Sequence, residues 1–438
     1  MSCAQIERRP PAPGNSVAAI RAHETGLSRL LMAYISAGLS CMLLPGTFLG
    51  VWNLFAISSR RAPGAVSAAW VQAHGHAQVF GWIGTFILGI GFYSIPKLRR
   101  TKRFALSAAW ISWALWTAGV ALRWAAGVYQ WHWRVVLPVS AIFQLAAFLI
   151  FFRCVSGHRP EGPRGQKLEA WVFVVIAGSL GLLLALLANA GAALWLAFTA
   201  ASPELPSAID QRLLVVETWG WLVPTVWGFS ARWLPVFLGL RAVRARGLLL
   251  AVLVNAAGVL AALAGWPASS AVLLAAGIAT AIYALRLVQP PERPAKTEGM
   301  HPSYPIFIRL AYGWAAVAAA LGIWSAFAAH PTGIAGASRH ALTVGFLALM
   351  VFAVGQRVLP AFSGMKLLFS PNWVLASMAL LAGGCLLRVA SEVLAYQHFA
   401  GAAWRWLPVS AVLEMAAVTA FAGNLWVTFA RPRPAAGG

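Results

Sequence analysis

The chain has 438 residues, of which 60% are hydrophobic and 10% charged, with a mean hydropathy of +0.73. That balance excludes a soluble globular domain, whose charged fraction is about a quarter, and points to an integral membrane protein. A formal net charge of +22 would suggest nucleic acid in a soluble chain. Here the basic residues gather in alternate loops between apolar runs, the positive-inside pattern, and a nucleic-acid partner is set aside.

About 20 apolar residues cross a hydrocarbon core of about 30 Å, and the sequence offers twelve such runs. Residues 1–29 read as a cytoplasmic N-terminal segment containing Pro10, Pro11 and Pro13, with none of the apolar core of a cleavable signal peptide. Spans 1 to 12 are expected at 30–56, 69–95, 104–126, 135–152, 170–199, 213–239, 248–264, 269–287, 309–329, 336–361, 373–395 and 407–430. They make 30–430 a single all-α membrane domain, with 431–438 as a cytoplasmic tail. Basic loops such as Lys97 to Arg103 and Arg241 to Arg246 place both termini in the cytoplasm of a bacterial inner membrane, surrounded by lipid. Cys3, Cys41, Cys154 and Cys385 have no C-x-x-C spacing and read as packing residues.

The chain repeats itself. Shifting span 2 by 264 residues (340 − 76) lays His76-Ala77 on His340-Ala341, Gly81 on Gly345, Gly91 on Gly355 and Pro96 on Pro360 without a gap. A shift of 125 (357 − 232) lays RWLPVFLG from Arg232 on RVLPAFSG from Arg357, and Gly220 on Gly345. Spans 4 and 12 share LPVSA, each preceded by a Trp-Arg pair, Trp133-Arg134 and Trp404-Arg405, and Gln144 corresponds to Glu414. Twelve spans therefore divide into three pseudo-symmetric four-helix units of one orientation, with spans 2, 6 and 10 expected to face a shared interior.

Ionisable groups within a membrane are costly and face a compensating interior. His76 and His340, at matching positions of the repeat, are expected to ligate a metal from facing helices, as the axial pair of a haem or, with a further ligand, at copper. A single intramembrane imidazole is as well explained by a hydrogen bond to a neighbouring carbonyl. His74 lies two residues before His76, about 200° around the helix, so it serves a second metal, a propionate or packing. Arg134 and Arg405 read as an interfacial belt or as partners of haem propionates, with Arg123 and Arg388 as a second pair. Glu217 stands near the same level as a proton acceptor, a metal ligand or an interfacial carboxylate. His23, His158 and His301 are expected on the cytoplasmic surface.

HGHAQVFGWIGTFILG in span 2, HALTVGFLALMVFAVGQRVLPAFSG in span 10 and GFSARWLPVFLG in span 6 resemble the NnrS family of bacterial twelve-span membrane proteins. The resemblance implies haem and copper and a link to nitric oxide metabolism, with His74, His76 and His340 on the family's histidine positions. Ala77 stands where the family often has an acidic residue. The core subunit of haem-copper oxidases is a broader likeness. Its binuclear centre draws histidines from spans 6 and 7, which have none here, so oxygen reduction at such a centre is not expected.

The leading expectation is thus a haem b-binding, copper-accommodating inner-membrane protein that handles nitric oxide or passes electrons from a respiratory donor. A transporter of a metal or small anion, and an assembly factor for a respiratory complex, are the alternatives.

Overall fold

Runs of Ala, Leu, Val and Trp punctuated by Pro and Gly favour helix within an apolar solvent, because only a helix satisfies its own backbone there. The computed structural model describes residues 17–99, 101, 103–156, 169–296, 300–362 and 368–431. The first sixteen residues of the expected N-terminal segment, with Cys3, the loop bearing His158, and tail residues 432–438 lie outside the described residues. Among the described residues the regular elements are all helical.

They form twelve rods: α1 (17–60), α2 (Ala68–Arg99), α3 (Leu106–Tyr129), α4 (Trp133–Ser156), α5 (Ala170–Thr199), α6 (207–237), α7 (Ala245–Leu263), α8 (Pro267–Ala284), α9 (Tyr304–Phe327), α10 (332–362), α11 (Pro371–Tyr396) and α12 (Ala403–Ala430). Ten of these are long and apolar enough to cross a membrane. The other two, α3 and α6, match the expected spans 104–126 and 213–239. Tryptophan lowers their mean hydropathy, at Trp110, Trp113, Trp116 and Trp124 in α3 and Trp219, Trp221, Trp227 and Trp233 in α6, although indole suits a membrane well. In α6 the charged residues Asp210, Arg212, Glu217 and Arg232 lower it further.

Packing repeats every four helices. Helix α3 pairs with α4, α7 with α8 and α11 with α12, while α4 packs on α5, α8 on α9 and α12 on α1, so that the last helix returns to the first, and α10 bridges α9 and α11. Deepest in the bundle stand α2, α6 and α10. The most apolar stretch of α2 is 83% buried and that of α10 is 72% buried, against 33–50% for the other membrane-length helices. In α6 the run Val216–Thr218 and the neighbouring Trp221, Leu222, Val223 and Pro224 are likewise buried.

Several boundaries differ from those read in the sequence. Helix α1 begins at residue 17 rather than 30, because Leu27 is buried, Ser28 donates to the Phe362 carbonyl at 3.0 Å, and Glu24 pairs with Lys97 at 3.4 Å. Pro96, Pro235 and Pro360 lie inside their helices, which continue to Arg99, Phe237 and Phe362. Each proline gives up one hydrogen bond to the carbonyl four residues back, and its helix ends two or three residues later.

Each inner helix also widens into a π-helical segment directly after the repeat-related position: Ala77–Gly84 after His76, Val216–Leu222 after Val215, and Ala341–Ala348 after His340. A fourth, Met42–Phe48, contains Pro45 and faces the first of these from α1. Such widening is uncommon and concentrates at functional positions.

Close approach between helices depends on small residues, as expected where lipid removes the hydrophobic drive for association. At the α5–α6 crossing, a Cβ on Gly181 would collide with the Gly220 carbonyl, and one on Gly228 would come 3.1 Å from the Val175 nitrogen. Gly191, on the same helix, has no heavy atom within 4 Å of a built Cβ. Gly181→Ala is therefore expected to destabilise the protein by about 1–3 kcal/mol, seen as a lower midpoint on unfolding in detergent. Gly191→Ala should leave that midpoint unchanged.

Candidate functional site

A cavity of about 410 Å³ opens between α1, α2, α3, α6, α10, α11 and α12, and His74, His76, His340, Arg123, Arg388 and Glu217 all contribute to its wall. Its remaining lining is largely apolar, including Leu54, Val79, Trp82, Ile83, Leu342 and Val418. It reaches the end of the bundle at which α2, α6 and α10 begin, where exposed Gln211 accepts from Arg339 at 2.8 Å across the rim.

His74 is held from α1. Its Nδ1 lies 2.9 Å from the Gly46 carbonyl oxygen, in the π-helical segment just after Pro45. One turn further, Gly50 leaves room for the ring, since a Cβ there would come 2.9 Å from Nδ1 and nearer still to Cε1. An Nδ1–H donated to a carbonyl leaves the lone pair on Nε2, and Nε2 has no hydrogen-bond partner among the described residues. The ionisable groups whose fields reach His74 are His340 and Arg388.

His340 is held in the same way. Its Nδ1 lies 2.9 Å from the Gly336 carbonyl oxygen one turn back and also 2.9 Å from Glu392 Oε2 on α11. Gly336 makes this possible, because a Cβ would occupy the place of the Glu392 carboxylate. The Nε2 lone pair again points away from the tether, with Arg388 Nη2 at a long 3.4 Å. Arg388 Nε lies 3.4 Å from Glu392 Oε2, and both Nε and Nη1 are buried without a hydrogen-bond acceptor.

His76 faces elsewhere. Its Nε2 receives the Gln144 amide of α4 at 2.9 Å, Phe80 stacks on the ring with centroids 4.5 Å apart, and the charge that acts on it is Arg123. Two residues of helix separate His74 from His76, and the two rings accordingly serve different walls of the cavity. Glu217 lies on this second wall, buried, and accepts from Asn189 Nδ2 at 2.7 Å.

Arg134 and Arg405 are exposed and outside the cavity wall. Arg134 donates to the Ala200 carbonyl at 3.1 Å and lies over the Trp133 ring. The second pair, Arg123 and Arg388, does line the cavity. His132 and His398 adopt positive φ, 42° and 59°, in the turns before α4 and α12, where they shape the chain. Glu392 was not singled out from the sequence, although an Arg388–Glu392 pair four residues apart within a span is a legible signal of a buried charge pair.

The donor set suits one kind of group better than another. Two tethered imidazoles, one with a free Nε2 and one whose Nε2 has only a long contact to Arg388, an apolar wall and a buried guanidinium with unused N–H groups fit a planar haem with its carboxylates. For copper, no three His, Cys, Asp or Glu side chains converge on one point among the described residues, so His74, His76 and His340 do not make a three-ligand set.

The fold is shared with a solved structure, a heme-copper terminal oxidase dimer studied by cryo-electron microscopy. The match has a TM-score of 0.72 and 13% identity, and covers 93% of this chain and 85% of that one. No match was found among curated protein sequences. The profile described as NnrS protein matches residues 31–433, a range that takes in most of α1, the other eleven helices and the whole cavity wall, and the chain therefore belongs to the NnrS family.

Proposed function

We propose that this protein binds haem b between His74 of α2 and His340 of α10 and serves the nitric oxide response of the bacterial inner membrane as a redox protein. The observation that carries this reading is the paired tether. Two histidines from inner helices line one cavity, each fixed through Nδ1 to a glycine carbonyl; Nε2 of His74 is left for a ligand, and that of His340 has only the long Arg388 contact at 3.4 Å to give up. His76 was the partner expected from the repeat, but Gln144 occupies its Nε2, and His74 takes its place in this reading.

Haem held by these two histidines would supply one-electron chemistry and, if one of them let go, a place for a diatomic gas. The chain's own residues do the rest. The Gly46 and Gly336 carbonyls hold the tautomer and aim each ring. Glu392 strengthens the basicity of His340 through Nδ1. Arg388, with two unused donors, suits a carboxylate of the group better than exposed Arg134 or Arg405 does.

The test is the reduced-minus-oxidised spectrum of detergent-purified protein. Wild type should show a b-type haem; His74→Ala and His340→Ala should each abolish it, and His76→Ala should retain it. Loss in His76→Ala with retention in His74→Ala would restore the pair expected from the repeat, and a wild type without haem would overturn the reading.

The tether can be tested independently of haem. Glu392→Ala leaves the Arg388 guanidinium buried with no carboxylate beside it, and removing one partner of a buried pair costs about 3–5 kcal/mol. The variant should unfold at markedly lower denaturant than wild type in detergent, while Glu392→Gln, which keeps an acceptor, should lose less.

A further inference from the structure

Glu414 on α12 has no role in the reading above, yet its place is unusual. It lines the cavity, its Oε1 is buried without a hydrogen-bond partner, and Gly384 on α11 lets it in, since a Cβ there would lie 2.9 Å from Glu414 Cγ. The ionisable groups whose fields reach it are His340, Arg388 and Glu392. From α11 the facing groups are thus Arg388, Glu392 and the Cys385 thiol, and from α10, His340. Helix α1 adds Asn53 to the wall and carries no ionisable side chain between Met42 and Ser59.

The charge is unevenly shared: Glu392 has both the Arg388 guanidinium beside it and the field of Arg339, whereas of these two arginines only Arg388 acts on Glu414. Arg388 is engaged by Glu392, which also meets His340 Nδ1. Glu414 makes neither a hydrogen bond nor an ion pair with His340 or Arg388 among the described residues. An ionised carboxylate with a bare oxygen in an apolar wall is expensive, and a further negative charge in the same cavity makes it more so. The least costly response to an arriving electron is a proton on that carboxyl. The cavity reaches exposed Gln211 at the rim, which gives that proton a route from water.

We propose that Glu414 is a redox-linked proton site: when the centre between His74 and His340 accepts one electron from a one-electron donor, Glu414 takes up one proton from the aqueous phase, and reoxidation releases it. The proposal rests on the haem reading above. It assigns to α12 a function absent from α4, because the corresponding residue there is Gln144, which cannot titrate and instead donates to His76. That correspondence also supplies the mutation, since the fold already accommodates a glutamine at the equivalent position.

The experiment is a spectroelectrochemical titration of the midpoint potential between about pH 6 and about pH 8 in wild type, Glu414→Gln and Glu217→Gln. One proton per electron shifts the potential by about 59 mV per pH unit. Wild type and Glu217→Gln should show a slope approaching that value, and Glu414→Gln should lose most of it with an unchanged haem spectrum. A wild-type slope near zero, or a slope retained in Glu414→Gln, would overturn the proposal while leaving the haem reading intact. Loss in Glu217→Gln alone would move the proton to α6 and equally overturn it. Absence of a wild-type haem spectrum would overturn both.

Discussion

The tether from each imidazole Nδ1 to a glycine carbonyl is the contact on which the site depends. An apolar bundle gives an imidazole no water to bond, so whichever nitrogen finds an acceptor decides the tautomer and where the other nitrogen points. Gly46 and Gly336 provide those acceptors on two different helices. Both must be glycine for steric reasons that extend past the histidines: Gly46 makes room for Gln78, and Gly336 makes room for Glu392. A substitution at either would shift a polar side chain before it touched a ring.

The same economy governs the rest of the interior. Buried polar side chains are paired across helices that are remote in sequence, as in Tyr34 with Ser112, Tyr312 with Ser230, and Asn424 with Gln356. Each such bond contributes about 1 kcal/mol net, but leaving one partner alone costs more. The bundle is thereby held in one register although its apolar surfaces would slide easily. Bare polar atoms remain elsewhere too, as at Trp227, Tyr304 and Trp314, but in the cavity wall those of Arg388 and Glu414 belong to ionisable groups, and there a ligand or a proton gains most.

Much of the fold was legible in the sequence because the signals are collective. Twelve apolar runs, alternating basic loops and motifs offset by 264 and 125 residues depend on no single side chain. Helix ends were less legible: the start of α1 rests on Ser28 meeting Phe362 and Glu24 meeting Lys97, contacts that no local pattern announces. The site was legible in its residue types but not in its pairings. The repeat equates His76 with His340, yet their rings face different partners, because Gln144 stands where the third unit has Glu414, and because Glu392 and Gly336 restrain only His340. His74 is tied to a residue 28 positions away and His76 to one 68 positions away, distances over which spacing rules say nothing.

The π-helical segments of α2, α6 and α10 carry a consequence for how these helices tolerate change in length. A π turn holds more residues than an α turn, and each residue of an α-helix advances the face by about 100°. Deleting one residue from Ala77–Gly84 or Ala341–Ala348 would let that segment close to α geometry while the residues beyond it, such as Gly91 against Phe151, keep nearly their present face. The stretches 76–96 and 340–360 align without a gap, and each carries in its wide turn one residue that could be lost with little rotation, whereas a residue added in the α-helical part would turn the far end by about 100°.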